Sequence, residues 1–430
     1  MPDELVVVCD DRIAGTVRRS HGEVTFTYDE TYRTDAQATR LSVSMPLSRP
    51  IHPHRVVAPW LDGLLPDNPA VRRAWARRFG VSAGSPFALL GTPVGEDCAG
   101  AARFVTVDRV DAMLAGTGSI DWLTDAQLAD RLRDLRDDDT AWLGAGFTGR
   151  FSLPGAQGKL ALYRDPTTGR WGEPRGAAAT SHILKPAIPG LPDHDLNEHL
   201  CLQAAAAAGL SVVTSQIVAV EDTRAVAVAR YDRAPGPHWL RRVHQEDMCQ
   251  ALAIPPDLKY QADGGPSSTD IAGLLRQTLP TDHAEASVWQ LFDALVVSWV
   301  LAGTDAHAKN YALLLSGPQV ALAPLYDIAS ALPYPGTHLR KLRLAMKFGG
   351  DYTLLPRSPS VWPKVAAELR LPLAQIRARA RTLIDALPDA LPQSAASDEI
   401  RALGSALPAR LVDAVARRAA ECSTTLVSGK

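Results

Sequence analysis

Thr304-Asp305-Ala306-His307-Ala308-Lys309-Asn310 is the stretch on which the fold of this 430-residue chain turns. The apolar run before it, 291–303, contains Asp293 and is too short to span a bilayer, so it reads as a buried helix. The run after it, 311–324, reads as a strand, a turn at Ser316-Gly317-Pro318 and a second strand. Asp305 thus stands between a buried helix and a hairpin, five positions before Asn310. Moving a phosphoryl group onto a hydroxyl needs a carboxylate to orient the hydroxyl and accept its proton. It also needs a neutral oxygen ligand for Mg²⁺ a few residues on, and Asp-x₄-Asn supplies both. The spacing alone is common, and a helix C-terminal turn whose polar residues satisfy orphan carbonyls is the simpler alternative.

Outward from this stretch, Leu325-Tyr326-Asp327-Ile328-Ala329-Ser330 places an acid seventeen residues past Asn310. The intervening hairpin returns the chain, so Asp327 is expected beside Asn310, where both can grip one metal bridging nucleotide phosphates. The alternative is that Asp327 caps a helix starting at Ile328. Upstream, Lys185 closes the strand Ser181-His182-Ile183-Leu184-Lys185-Pro186, from which its ammonium can reach phosphates, with Glu198 as expected partner. An exposed strand-end lysine without a role is the alternative. In Ser152-Leu153-Pro154-Gly155-Ala156-Gln157-Gly158-Lys159, two glycines and small residues let backbone N–H groups approach phosphate oxygens. It is not a Walker A loop, since Leu153 stands where Gly is required and Leu160 replaces Ser/Thr; an ordinary hairpin loop is the competing reading. Gly144-Ala145-Gly146-Phe147-Thr148-Gly149 matches G-x-G-x-x-G but follows a charged helix and precedes a strand. A dinucleotide fold needs the reverse order, so this reads as a flexible connection. Arg72, Arg73, Arg77 and Arg78 read as a solvated basic face.

At about 150 residues per domain, the length allows two or three domains. A β-meander covers 5–8, 13–18 and 24–28, a helix covers 70–79, and this block closes near Val105. Residues 106–148 form a hinge region with a charged helix at 125–137. Strands follow at 151–153, 159–163, 181–186, 212–220 and 225–230, with one alanine-rich helix, 197–208, ended at Gly209. Beyond Tyr231 the pattern is mostly helical, and the tail 371–423 carries breaks at Pro388, Pro392 and Pro408. The fold class is therefore α+β: a protein-kinase-like bilobal core, with a small β-rich lobe and a large helical lobe, behind an N-terminal α/β accessory domain. The expected boundaries are 1–106, a helical connector 107–148, a nucleotide-binding lobe 149–233 and a catalytic lobe 234–430.

Hydrophobic residues at 46% and charged residues at 21% exclude a disordered, collagen-like or coiled-coil chain. A net charge of −2 provides no strong field toward nucleic acid or an anionic membrane. Five scattered cysteines without a C-x-x-C pair suggest neither a disulfide framework nor a zinc knuckle and fit a reducing cytoplasm. The acidic N-terminus runs straight into a strand, unlike a signal peptide.

At these residues the sequence resembles the HipA family of serine/threonine kinases, the toxin halves of HipAB-type toxin–antitoxin modules. The match runs over nearly the whole chain. It includes Leu41-Ser42-Val43-Ser44-Met45-Pro46-Leu47, Leu64-Leu65-Pro66-Asp67, Gly155-Ala156-Gln157, His182-Ile183-Leu184-Lys185, Gln245-Glu246-Asp247-Met248-Cys249-Gln250, Lys259-Tyr260, Asp263-Gly264-Gly265-Pro266 and residues 304–310. The resemblance implies ATP and Mg²⁺ as cofactors, Asp305 as catalytic base, and Asn310 and Asp327 as metal ligands. Gly155, Ala156, Gln157, Gly158 and Lys159 would form the phosphate loop beside Lys185. Tyr231, His307, Lys309 and Tyr326 would lie around the nucleotide. Ser152 would be autophosphorylated, expelling the loop and switching the enzyme off, since a doubly negative phosphate repels incoming ATP.

The implied partners are a small helix-turn-helix antitoxin, operator DNA held mainly through it, and a protein substrate such as an aminoacyl-tRNA synthetase, with no membrane. Departures from the family pattern are Gly158 where Glu is frequent, Ala229 where Glu is usual, and a short 187–196 segment. Two other classes stay open: a corepressor or scaffold acting through the antitoxin, and a small-molecule kinase.

Overall fold

The computed structural model describes residues 3–138, 140–142, 151–336, 338–355 and 358–426. The chain forms two compact units. One comprises Met1–Pro189, Val218–Asp257 and Ala312–Ala323; the other comprises Gly190–Ile217, Leu258–Tyr311 and Pro324–Lys430.

The first unit opens on the expected meander: Glu4–Cys9, Arg12–Ser20 and Glu23–Tyr28 pair antiparallel. Both hairpins close on two residues with positive φ, Asp10-Asp11 at 52° and 55° and His21-Gly22 at 51° and 84°. That turn geometry matches the right-handed twist of the flanking strands. Ile51–His52 and Arg103–Val105 complete a five-stranded sheet. The helix Pro69–Phe79 starts where the Asn68 side chain accepts the Ala70 N–H, and it ends at Gly80 with φ 65°.

A second sheet runs in the order Gly118–Trp122, Trp171–Gly176, Leu160–Arg164, His182–Pro186, Thr223–Ala229, Ser215–Val220. It has six strands where the sequence suggested five, and their identities differ. Residues 151–153 make only an isolated bridge, Ser152 to Cys98, rather than a strand. Trp171–Gly176 lacks apolar alternation because Gly172, Pro174 and Gly176 interrupt it. Pro174 stands opposite Ile120 of Gly118–Trp122 but lies beyond Trp171 and Gly172, the two residues that pair with Leu160–Arg164, so its missing N–H takes no bond from that pairing. One apolar core runs from Leu5 through Trp60, Trp75, Phe104 and Phe151 to Ala227, so both sheets share a single interior. A three-stranded sheet joins His244–Asp247 to the hairpin Ala312–Ser316 and Gln319–Leu322.

The second unit is helical. At its centre Thr281–Leu301 packs against Ser268–Thr278, Leu373–Ala395 and Leu407–Ser423. By length and composition Thr281–Leu301 could cross a membrane, but 72% of its apolar window is buried inside the protein. Its one mid-helix acid, Asp293, receives both Nε and Nη2 of Arg379 at 2.6 Å. Pro388 and Pro392 do not break Leu373–Ala395, and Pro408 sits in the first turn of Leu407–Ser423. Each internal proline costs about 3 kcal/mol. The buried stripe Ile376, Ala380, Leu383, Ile384, Leu387 and Leu391 holds the helix continuous against that cost.

Candidate active site

In the second unit, the end of Thr281–Leu301 sets the position of Asp305. Ala302 takes a left-handed conformation as C-cap, and the Gly303 N–H returns to the Ser298 carbonyl at 2.7 Å. The loop then folds on itself: the His307 N–H reaches the Asp305 carbonyl at 2.8 Å and the Asn310 N–H the His307 carbonyl at 2.9 Å. Asn310 Nδ2 donates to the same Asp305 carbonyl at 2.7 Å. With its amide donor committed to the loop backbone, Asn310 presents Oδ1, the neutral oxygen a hard cation accepts. The Asp305 carboxylate is 66% exposed, whereas the His307 ring is buried, with Nε2 4.0 Å from Asp305 Oδ1. Lys309 is also buried.

Tyr326 ties the second motif to the first, because its hydroxyl donates to the Lys309 carbonyl at 2.6 Å. The backbone ahead of it is held by the Val213 N–H to Leu325 carbonyl bond at 2.9 Å and the Leu325 N–H to Ser211 carbonyl bond at 2.8 Å. Asp327 is exposed, with a left-handed φ of 60°. No helix begins at Ile328, so Asp327 is not a helix cap. Ser330 fixes the far side: its hydroxyl donates to the Leu301 carbonyl at 2.6 Å, and its N–H donates to Asn197 Oδ1 at 3.0 Å. Asn197 Nδ2 in turn donates to the Ser330 carbonyl at 2.7 Å. Asp305, Asn310 and Asp327 are therefore carried by one hydrogen-bonded framework. Among the described residues no group of three or more His, Cys, Asp or Glu gathers to hold a metal. An amide oxygen with one carboxylate is a donor set that suits Mg²⁺, which keeps several waters and takes its other ligands from phosphates.

In the first unit, Lys185 is buried in an interior strand, opposite Val226. The loop 154–159 reaches that strand through Gln157 Nε2, which donates to the Pro186 carbonyl at 3.1 Å. Gly155 has φ 107°, and its carbonyl accepts the Asp67 N–H at 3.0 Å. Lys159 Nζ donates to the Pro154 carbonyl at 2.7 Å and lies 5.2 Å from the Trp142 ring centre. Tyr231 donates its hydroxyl to Gln245 Oε1 at 2.7 Å. His182, one strand residue from Ile183, is pushed down to about 4 by burial, with Arg164 adding to the effect.

Ser152 is fully buried, its hydroxyl donating to the Leu64 carbonyl at 2.8 Å and its N–H to the Asp97 carbonyl at 3.0 Å. Beside it lies a buried ionic cluster: Arg233 and Arg242 reach Asp97 at 2.8 and 3.0 Å, and Arg230 reaches Asp232 at 2.6 Å. Burial opposes the charged form of Asp97, but Arg233, Arg242 and Arg230 outweigh it and hold its carboxyl below the usual carboxylate range.

Lys185, residues 155–159, Ser152 and Tyr231 belong to the first unit; Asp305, His307, Lys309, Asn310, Tyr326, Asp327 and Glu198 belong to the second. The glycine-rich stretch 144–149 lies outside the described residues. Sequence reasoning passed over Asn197 and Ser330, although both flank residues it singled out. It also passed over the cluster around Asp97, whose signal was a charged Arg230-Tyr231-Asp232-Arg233 directly after an apolar strand.

Residues 5–105 match the family model described as HipA N-terminal domain, and residues 151–393 match that described as HipA-like C-terminal domain. The chain is 34% identical over 413 residues to the Sinorhizobium fredii protein named "Putative kinase Y4mE", covering 95% of this chain and 96% of that one. It is 27% identical over 300 residues to the serine/threonine-protein kinase toxin HipA of Shewanella oneidensis, covering 65% of this chain and 64% of that one. Its fold matches a chain from the solved Shewanella oneidensis MR-1 complex of HipA, HipB and operator DNA, with a TM-score of 0.81 and 21% identity over 99% of this chain and 100% of that one. With both halves matched and a relative aligned along nearly its entire length, the chain belongs to the HipA family of kinases.

Proposed function

We propose that the chain is an ATP- and Mg²⁺-dependent serine/threonine kinase that acts as the toxin of a toxin–antitoxin pair in the cytoplasm. The observation that carries this reading is the framework joining Asp305, Asn310 and Asp327 through the Tyr326–Lys309 and Asn310–Asp305 bonds. Bound Mg²⁺ neutralises phosphate charge, and Asn310 Oδ1 with the Asp327 carboxylate would hold it. Lys185 and the N–H groups of 155–159 are the proposed contacts to phosphate oxygens, and Tyr231, His307, Lys309 and Tyr326 are the proposed contacts to the nucleotide. The acceptor oxygen bonds to the γ-phosphorus as the bond to ADP breaks, and the acceptor's proton passes to Asp305. The proposed functional division is 1–106, 107–148, 149–233 and 234–430; the family matches at 5–105 and 151–393 support the separation of the first segment from the remainder.

Ser152 is the proposed autophosphorylation site; its burial in this structure means that modification requires the loop to leave its seat. The proposed partner is a HipB-like antitoxin, with operator DNA bound mainly through it, and the proposed target is a translation component such as an aminoacyl-tRNA synthetase. A phosphoproteome of cell lysate treated with ATP and either the wild-type chain or Asp305→Gln tests the reading. New phosphosites with the wild type alone support it, and identical phosphosites with both overturn it. A scaffold or a small-molecule kinase would leave the proteome unmarked.

A further inference from the structure

Lys259 and Tyr260 close on the Asp305 loop from outside it. The Lys259 carbonyl accepts the Ala308 N–H at 3.2 Å, and the Tyr260 hydroxyl donates to Asp305 Oδ1. The edge of the Tyr260 ring meets His307, with centroids 5.0 Å apart and planes at 84°. Lys259 Nζ lies 5.5 Å from the Tyr260 ring centre.

The sequence that follows exists to make this approach. Residues Gln261–Asp263 form one 3-10 turn, and Gly264 has φ 95°. A Cβ on Gly265 would stand 1.9 Å from the Leu258 carbonyl oxygen. Both the Asp263 and Gly265 N–H groups return to the Tyr260 carbonyl at 3.0 Å. The Asp263-Gly264-Gly265-Pro266 motif is thus a tight reversal that fixes where Tyr260 points.

We propose that Tyr260 is a positioning residue: its hydroxyl pins one oxygen of the Asp305 carboxylate so that the other faces the acceptor hydroxyl. This rests on the reading of Asp305 as the base. A carboxylate that is 66% exposed is not held in one rotamer by packing, and the phenol supplies the missing restraint. The acceptor's proton goes to Asp305 and Tyr260 keeps its own, so the phenol changes neither the stoichiometry nor the nucleotide contacts.

The test uses the full-length chain with MgATP, following labelled γ-phosphate into the chain itself and into dephosphorylated casein. Rates are normalised to the fraction of chain that binds a fluorescent ATP analogue. Tyr260→Phe keeps the ring against His307 and removes only the hydroxyl. The expected result is a kcat lowered about tenfold, with KM for ATP and the melting temperature unchanged. A wild-type kcat in Tyr260→Phe, or a raised KM with kcat unchanged, overturns the proposal. Asp305→Asn separates the two claims. If it abolishes transfer while Tyr260→Phe is silent, only the positioning role falls; if Asp305→Asn retains the wild-type rate, the base assignment falls and the positioning role with it.

Discussion

Ser330 Oγ donates to the Leu301 carbonyl at 2.6 Å, fastening the turn after Asp327 to the last residue of the helix that leads to Asp305. Two acids more than twenty positions apart in the chain are thereby hung from one helix end, and Asn197 closes the arrangement by bonding both backbone groups of Ser330.

Truncating Asn197 to Ala leaves the Ser330 N–H and carbonyl buried without those partners. Each orphaned backbone group costs about 1–3 kcal/mol. The expected outcome is a clearly lowered melting temperature together with slower phosphoryl transfer, measured by thermal unfolding and γ-phosphate incorporation.

Asp97 carries a different burden. It sits among Arg230, Arg233 and Arg242, whose side chains are all buried. Asp97→Asn leaves these cations without half of their compensating negative charge, Asp232 being the other half. Breaking a buried ion pair from one side costs about 3–5 kcal/mol. Denaturant unfolding is expected to show a loss of that order, whereas Asp137→Asn on the exposed end of its helix is expected to be silent.

Glu246 gives the chain a pH dependence. Its Oε1 accepts the Val43 N–H at 2.8 Å, and its neighbours are Ser42, Asp247 and Arg40. Burial pushes it up to about 8 from its ordinary 4.5, so the folded chain holds a proton that the unfolded chain releases earlier. Its contribution to stability is fully present below about pH 4.5 and is lost as pH rises through about 8. Melting temperature measured from about pH 5 to 9 is expected to fall less steeply in Glu246→Gln than in the wild type.

Gly155→Ala probes the proposed phosphate loop. Its φ of 107° disfavours a side chain, and a Cβ there would lie 2.5 Å from Lys159 Nζ. The lysine end can shift, so the expected stability loss is small, about 1 kcal/mol. The KM for ATP is expected to rise several-fold, read from initial rates against ATP concentration.

The sequence made legible those features that have local physical causes. The meander followed from alternation and turn residues, the helix Asp125–Asp137 matched its charged, striped pattern, and the hairpin after Tyr311 followed from Ser316-Gly317-Pro318. Spacing alone led to the expectation that Asn310 and Asp327 stand together; what the structure adds is the Tyr326 hydroxyl on the Lys309 carbonyl, a bond between the residues next to each. Trp171–Gly176 was not legible because glycine and proline mask its alternation. The arginine partners of Asp97 and the Asn197 partner of Ser330 were hidden for another reason: these bonds link residues more than a hundred positions apart, and no local pattern encodes them.

Intact mass after incubation with Mg²⁺ and ATP tests the central claim most directly. The account predicts that the wild-type chain gains one phosphoryl group, mapped to Ser152, and that Asp305→Asn gains none. A wild-type chain that gains nothing, or an Asp305→Asn chain that gains the same group at the same rate, would contradict it.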